Sequence, residues 1–400
     1  MRGDDKSLGF VAAAACAAGA AAWVVWSRRR SEDEEDEIGR LVRPNIRRLA
    51  PYRCARDDYE EGVLLDANEN AFGPAAAAPG LEGIHRYPDP GARQVKARIA
   101  ALRGVRPEQI FVGVGSDEAI DLLFRVFCEP RQSTVLIMPP TYGMYKVCAA
   151  ANDVGVLSAP LDESFDVDVP TSVRVARGST RLVFVTSPGN PTARIVSRDR
   201  VVALHRLLPR AIIVVDEAYV DFREDATLAK LVDDFPRLVV LQTLSKAFGL
   251  AGARVGTAIA SERVVGFLNN LKAPYNVNKM TAALAAAALD AKGVQAMRAN
   301  VVKLNAEKAI LRKGLLEKPY VTKIFPSDAN FLLVQITPPQ AAKPLYKTLA
   351  ENGVVVRYRG DQLNCAGCLR VTVGTPPENK ALLDLLDTLA PALIASHQNN

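Results

Sequence analysis

Residues 239–246 read Val239-Val240-Leu241-Gln242-Thr243-Leu244-Ser245-Lys246, and the chain then runs through Gly249 and Gly252 to Arg254. An apolar, β-branched run that stops at Thr-x-Ser-Lys reads as a buried strand emptying into a loop. In open parallel sheets, ligands bind beyond the carboxyl ends of strands, so a lysine here faces a cleft. Taken alone, a lysine is a solvated surface group. Its neighbours argue for more. A nucleophilic lysine needs nearby cations and partial desolvation to lower its pKa, and Arg254 with Ser245 suits a phosphate beside it.

Outward from this run the same pattern repeats. Residues 110–114, 134–138, 182–186, 212–215 and 255–260 are short apolar runs separated by helix-length amphipathic segments. That alternation predicts an α/β fold, a mainly parallel sheet covered by helices. A long helical stretch over about 281–318 then leads to a second region with strands near 331–334, 354–357 and 369–373. The expected organisation is an extension over 1–38, an arm over 39–62, a large domain over 63–295 and a smaller C-terminal domain over 296–400. There is no internal repeat, and the alanine run at 285–288 is an ordinary helix interior.

Other strand ends carry candidates. Asp216 closes the run 212–215, and a buried carboxylate there needs a cationic partner to offset its desolvation. A protonated pyridine nitrogen is one such partner, with Tyr219 placed to bond the ring's phenolic oxygen. A helix N-cap is the competing reading of Asp216. Gly113-Val114-Gly115-Ser116-Asp117-Glu118 runs from a strand into a helical pattern over 119–127, where backbone amides make an anion site. It lacks a third glycine, which speaks against a dinucleotide, and an ordinary strand-to-helix turn is the alternative. Tyr142 follows the strand ending at Met138, where it can stack on a ring or pack in the core. Asn190, in Ser187-Pro188-Gly189-Asn190-Pro191-Thr192, either donates to the same phenolic oxygen or simply belongs to a turn.

Composition bounds the rest. The 400-residue chain is 49% hydrophobic and 24% charged, as soluble globular proteins are. Its formal charge of +6 is spread along the chain and not gathered in a basic block, which argues against nucleic acid and remains compatible with small anions. Cys16, Cys54, Cys128, Cys148, Cys365 and Cys368 are too scattered for a disulfide framework, so a reducing compartment, the cytoplasm, is expected. The lone C-x-x-C at Cys365 and Cys368, with only His85, His205 and His397 elsewhere, has no zinc-site spacing, and no metal is expected. Residues 8–26 are uncharged, alanine-rich and followed by Arg28, Arg29 and Arg30. Roughly nineteen such residues only just span a bilayer. A membrane anchor, a cleaved targeting segment for organelle import and an unstructured extension all remain open.

Together, the order of Gly115-Ser116-Asp117-Glu118, Tyr142, Asn190, Asp216-x-x-Tyr219, Ser245-Lys246 and Arg254 resembles the fold-type-I pyridoxal-phosphate aminotransferases. More narrowly, Leu65-Asp66-Ala67-Asn68-Glu69-Asn70, Arg86-Tyr87-Pro88-Asp89, Ser327-Asp328-Ala329-Asn330-Phe331 and Cys368-Leu369-Arg370-Val371-Thr372-Val373-Gly374 are similar to the histidinol-phosphate aminotransferases. The likeness covers about residues 41–393. One departure, Ala71 where relatives often have proline, touches nothing catalytic.

The resemblance implies a large domain with helices on both faces of its sheet plus a smaller α+β domain, with pyridoxal 5'-phosphate as cofactor. It makes Lys246 the Schiff-base lysine and proton shuttle, pairs Asp216 with the ring nitrogen, sets Asn190 and Tyr219 on the phenolic oxygen and stacks Tyr142 on the ring. Gly115, Ser116, Asp117, Glu118, Ser245 and Arg254 would hold the cofactor phosphate, joined by Tyr87 from a partner subunit, which implies a homodimer. Tyr52, Asn68, Asn70, Tyr87, Arg357 and Arg370 would line the substrate pocket, with the arginines binding phosphate and carboxylate through their guanidinium forks. The implied reaction interconverts L-histidinol phosphate and 2-oxoglutarate with imidazole acetol phosphate and L-glutamate, a step of histidine biosynthesis. An aromatic amino-acid aminotransferase or a phospho-amino-acid decarboxylase on the same scaffold are the rival enzymes, and a tethered binding protein without turnover is the rival of another class. Because none of these motifs falls within 1–38, a chain lacking those residues is expected to keep full turnover in a solution assay. A folded but inactive truncation would place part of the site in the extension.

Overall fold

Ile212-Ile213-Val214-Val215 and Val239-Val240-Leu241 offer no polar face, so each strand must be covered on both sides. The structure, a computed structural model that describes residues 36–57, 66–75 and 83–398, places both runs at the centre of a seven-stranded sheet. Its strands are β1 (Ile110–Val114), β2 (Thr134–Ile137), β3 (Gly155–Ser158), β4 (Thr180–Thr186), β5 (Ile212–Asp216), β6 (Leu238–Thr243) and β7 (Val255–Ala260), in the order β1-β7-β6-β5-β4-β2-β3. The run from β3 to β6 is parallel, and β7 lies antiparallel between β6 and β1. Helices Arg93–Arg103, Gly115–Phe127, Arg198–Leu207 and Glu262–Leu271 pack on it. The α/β expectation is borne out.

This topology sets one edge apart. The carboxyl ends of β1, β4, β5 and β6 and the start of the reversed β7 all open there. Thr186 pairs beside Asp216, Asp216 beside Leu241, and Thr243 beside Gly256. Two glycines allow the close approach. Gly115 has a left-handed φ of 74°, and a Cβ on Gly256 would lie 2.0 Å from the Ser116 amide nitrogen.

A second, four-stranded antiparallel sheet follows, ordered β10-β11-β9-β8, with β8 (Val321–Ile324), β9 (Phe331–Ile336), β10 (Arg357–Tyr358) and β11 (Cys368–Thr372). Leu311, Leu315, Leu345, Leu349, Leu382 and Leu386, from three helices, share a core with Leu332, Val334, Leu369 and Val371. Pairing Arg357 with Arg370 points both side chains to one face.

Three local expectations need correction, and two strands went unread. The long helical stretch expected over 281–318 is two helices, Lys279–Ala288 and Ala291–Leu316, because Asp290 leaves helical geometry and caps the second by accepting from the Gly293 amide at 2.7 Å. The helix expected over 119–127 already begins at Gly115. The strand near 354–357 forms a ladder only at its end, since Val354 N instead closes the preceding helix on Leu349 O at 3.0 Å. Strands β3 and β8 escaped notice because they are edge strands with mostly exposed or half-exposed residues and so lack an apolar run.

The stretch 8–26, with its three readings, lies outside the described residues. Among the described residues no helix is long and apolar enough to cross a membrane. Asp290→Ala is expected to lower the unfolding free energy by about 1 kcal/mol in urea denaturation, the usual cost of a lost N-cap, with turnover unchanged.

Candidate active site

A cavity of about 450 Å³ opens at the edge where the strand ends meet. Thr186 lines it from the end of β4 and Asn190 from the turn after it, Asp216 from the end of β5 with Ala218 and Tyr219 just beyond, and Thr243 from the end of β6 with Ser245 and Lys246 in the following loop. Ser116 and Asp117 enter from the helix after β1, Tyr142 from the loop after β2, and Arg254 from the residue before β7. The second sheet contributes Arg357, Arg359 and Arg370. Asp328 holds the two sheets together there: its carboxylate bonds Arg223 Nη1 at 2.7 Å and Arg194 Nη1 at 3.3 Å, and its amide donates to Ala193 O at 2.8 Å.

Asp216 is buried at the carboxyl end of β5. Its Oδ2 accepts from the Tyr145 hydroxyl at 2.7 Å and its Oδ1 from the Ala218 amide at 3.1 Å, so it caps a turn and no α-helix follows it. Burial pushes the carboxyl up, against the pull of those two bonds. A cation in the cavity would reverse the balance, and a protonated ring nitrogen is chemically suited to that place. Lys246 is exposed to the cavity, with Nζ 5.5 Å from the centre of the Tyr219 ring. Desolvation first, and then the Arg370 charge, lower its pKa, which favours the neutral, nucleophilic amine.

The amide end of Gly115–Phe127 and the side chain of Arg254 form a cradle suited to a phosphate. Arg254 Nη2 lies 3.3 Å from Asp117 Oδ2 and Nη1 lies 3.5 Å from Ser245 Oγ. Tyr142 donates to Asp117 Oδ1 at 3.3 Å and meets the Tyr145 ring edge-on. Arg370 Nη1 donates to Asn190 Oδ1 at 2.6 Å, joining the small sheet to the β4 turn. The donor set fits pyridoxal phosphate: a cradle for its phosphate, a lysine for its carbonyl carbon and a buried acid for its nitrogen.

Not every expected residue meets the cavity. Gly115 shapes the turn without lining it, and the Glu118 carboxylate turns back to accept from Val114 N at 2.6 Å and Asn276 Nδ2 at 2.9 Å. Tyr52, Asn68, Asn70 and Tyr87 are all exposed and do not line this chain's own cavity. Asn70 Oδ1 accepts from the Phe72 amide, and the Tyr87 ring stacks on Tyr275 at 4.4 Å. Their segment is held by Glu69, whose side chain is buried beside Arg56 at 2.9 Å and Arg86 at 2.7 Å. Burial pushes the Glu69 carboxyl up, but Arg86, the Tyr87 amide and Arg56 outweigh it and hold the pKa down at about 2.

The sequence reading missed Tyr145 and Arg359. Tyr145, Cys148 and Ala149 repeat at helical spacing and mark a buried face, yet that pattern signals packing and not a hydroxyl aimed at Asp216. Arg359 stands two residues after Arg357, the strand spacing that shares a face.

Residues 60–386 match the family model for aminotransferase class I and II. The chain is 44% identical over 350 residues to the histidinol-phosphate aminotransferase of Cytophaga hutchinsonii, covering 87% of this chain and 98% of that one. It is 43% identical over 370 residues to the enzyme of that name from Saccharomyces cerevisiae, covering 87% and 96%. Among solved structures, the histidinol-phosphate aminotransferase from Sinorhizobium meliloti in complex with pyridoxal-5'-phosphate superposes with a TM-score of 0.69 at 25% identity, covering 82% of this chain and 90% of that one.

Lys246→Ala is expected to leave a folded protein, by circular dichroism, with no measurable turnover. The wild-type lysine is expected to capture pyridoxal phosphate, followed as visible absorbance in cofactor-stripped protein, with a rate that reaches half-maximum below the ordinary lysine value of 10.5. The sign follows from the lowered pKa, because the neutral amine is the nucleophile and appears at lower pH. A midpoint at or above that value contradicts the desolvated site.

Proposed function

The chain belongs to the aminotransferase class I and II family and, within it, to the histidinol-phosphate aminotransferases, and we propose that it moves the amino group of L-histidinol phosphate to 2-oxoglutarate at the Lys246 cavity. The observation that carries this assignment is the meeting of Lys246 and Asp216 from the large sheet with Arg357 and Arg370 from the small one. Pyridoxal 5'-phosphate, when bound, supplies the electron sink that stabilises the carbanion left by loss of the substrate's α-proton.

The chain's residues do the rest. The backbone amides of Ser116 and Asp117, the Ser245 hydroxyl and Arg254 would hold the cofactor phosphate. The Asp216 carboxylate, with Tyr145 bonded to it, would keep a proton on the cofactor's ring nitrogen, and Tyr219 and Asn190 would hold its phenolic oxygen. Tyr142 would cover a ring face. Lys246 Nζ would take the proton from the substrate α-carbon and hand it to the cofactor's carbonyl carbon, two atoms away across the shared nitrogen, a transfer favoured by its lowered pKa. Arg370, tethered by Asn190, binds a substrate carboxylate, and Arg357 at the rim binds the substrate phosphate. The two half-reactions use the cavity in turn, which makes the kinetics ping-pong.

The same reading makes the enzyme a homodimer. Tyr52 and Tyr87 are 72% and 50% exposed and lie away from their own cavity, which supports their serving the partner's. The unbridged thiols of Cys54, Cys128, Cys148, Cys365 and Cys368 support a reducing compartment such as the cytoplasm.

The direct test is a transamination assay with histidinol phosphate and 2-oxoglutarate, with Arg357→Ala as its control. A charge-assisted bond at an exposed site is worth the low end of its usual range, so the Michaelis constant for histidinol phosphate is expected to rise about tenfold. The glutamate half-reaction, followed by stopped-flow absorbance, is expected to lose less because Arg370 remains. Equal losses, or none, would remove Arg357 from the phosphate site and leave the aminotransferase assignment in place.

A further inference from the structure

Arg359 has no role in the assignments above, yet its position is unusual. Its amide donates to Cys368 O at 2.9 Å, which continues the β10–β11 pairing beyond Tyr358. Arg357 and Arg359 therefore share a face of the hairpin with Arg370, and all three line the cavity. The Arg359 side chain is half-buried, and its Nε is shielded from water without a hydrogen-bond partner among the described residues.

Other covered guanidinium groups here are satisfied. Arg103 bonds Asp221 and Gln242, and Arg56 bonds Asp66 and Glu69. Arg43, whose Nε also lacks a hydrogen bond, faces Glu129 at 3.4 Å. Around Arg359 the charges that act most strongly are two cations, Arg370 and Arg357, with Asp361 acting less. Burying a donor unpaired costs free energy, and crowding like charges costs more, unless an anion enters between them. Arg370 already gives one of its donors to Asn190.

We propose that Arg359 is a further substrate-binding residue, which joins Arg357 on the phosphate of the amino donor and makes the pocket select a dianion over a single carboxylate. This rests on the histidinol-phosphate reading above. The charge arithmetic favours phosphate. A phosphate monoester carries close to two charges at neutral pH and three acceptor oxygens, enough for two guanidinium forks, whereas one carboxylate is saturated by a single fork. Glutamate carries two carboxylates, one for Arg370 and one for Arg357, so Arg359 has bonds to make only when the phosphate is present.

The test uses the full-length holoenzyme and three measurements. Arg359→Ala is expected to raise the Michaelis constant for histidinol phosphate about tenfold with kcat within about twofold, and to leave the glutamate half-reaction within about twofold. Inhibition by inorganic phosphate is expected to weaken by a similar factor, and Arg359→Lys to recover part of both losses. With unphosphorylated histidinol as donor, wild type and variant are expected to match, which a merely structural role would not produce. Unchanged histidinol-phosphate kinetics, or an equal loss with glutamate or histidinol, overturns the proposal. If Arg359→Ala does not fold, Arg359→Gln is held to the same criteria. Failure of wild type to use histidinol phosphate overturns the functional reading instead, and the inorganic-phosphate comparison then still decides whether Arg359 binds that anion.

Discussion

Burial of the Asp216 carboxylate at the end of β5 is the constraint around which the site is built. A carboxylate removed from water needs hydrogen bonds and a counter-charge. The fold supplies the hydrogen bonds through Tyr145 and the Ala218 amide. Tyr145 is fully buried, stacked on Phe184 at 4.3 Å and bonded to Thr186, so its hydroxyl has one direction to point. The counter-charge is left to the cavity. An acid that the protein alone does not neutralise is what a cationic ring nitrogen requires, and the same low dielectric that penalises the bare acid strengthens that pair once formed.

The opposite imbalance surrounds it. Lys246, Arg254, Arg357, Arg359 and Arg370 line a cavity that holds only Asp117 and Asp216 as acids. Arg254 is partly neutralised by Asp117 and Arg370 is steadied by Asn190, while the remaining positive field serves two ends. It helps lower the lysine pKa, and it draws anions to the cleft. Carrying those charges on two sheets makes the site depend on how the sheets are joined. Asp328, bonded to Arg194 and Arg223, and Lys308, bonded to the carbonyls of Ser327 and Ala329, fasten the segment that leads into β9.

Glu69 does comparable work at a distance from the cavity. By binding Arg56, Arg86 and the Tyr87 amide it ties its own segment, which carries Asn68 and Asn70, to the one that carries Tyr87. The tie leaves those side chains presented outward.

The strands of the large sheet and their polar ends were legible in the chain itself, because a strand buried on both faces must be apolar throughout and must stop where it turns polar. Lys246, Asp216, Asn190 and Arg254 stand at such stops, which is why local reading found them and why the family motifs run through them. Edge strands β3 and β8 left no such trace, since water covers much of their surface. Neither did the break at Asp290, where one hydrogen bond divides an otherwise continuous helical pattern. Tyr145 and Arg359 went unread, because what they face lies 71 and 11 residues away, at Asp216 and Arg370. Side-chain type and spacing record which face is buried. What that face meets is decided only when β10 folds onto β11 and the small sheet closes over the ends of the large one, for hydrogen bonds and Coulomb forces act over a few ångströms of space, whatever the separation along the chain.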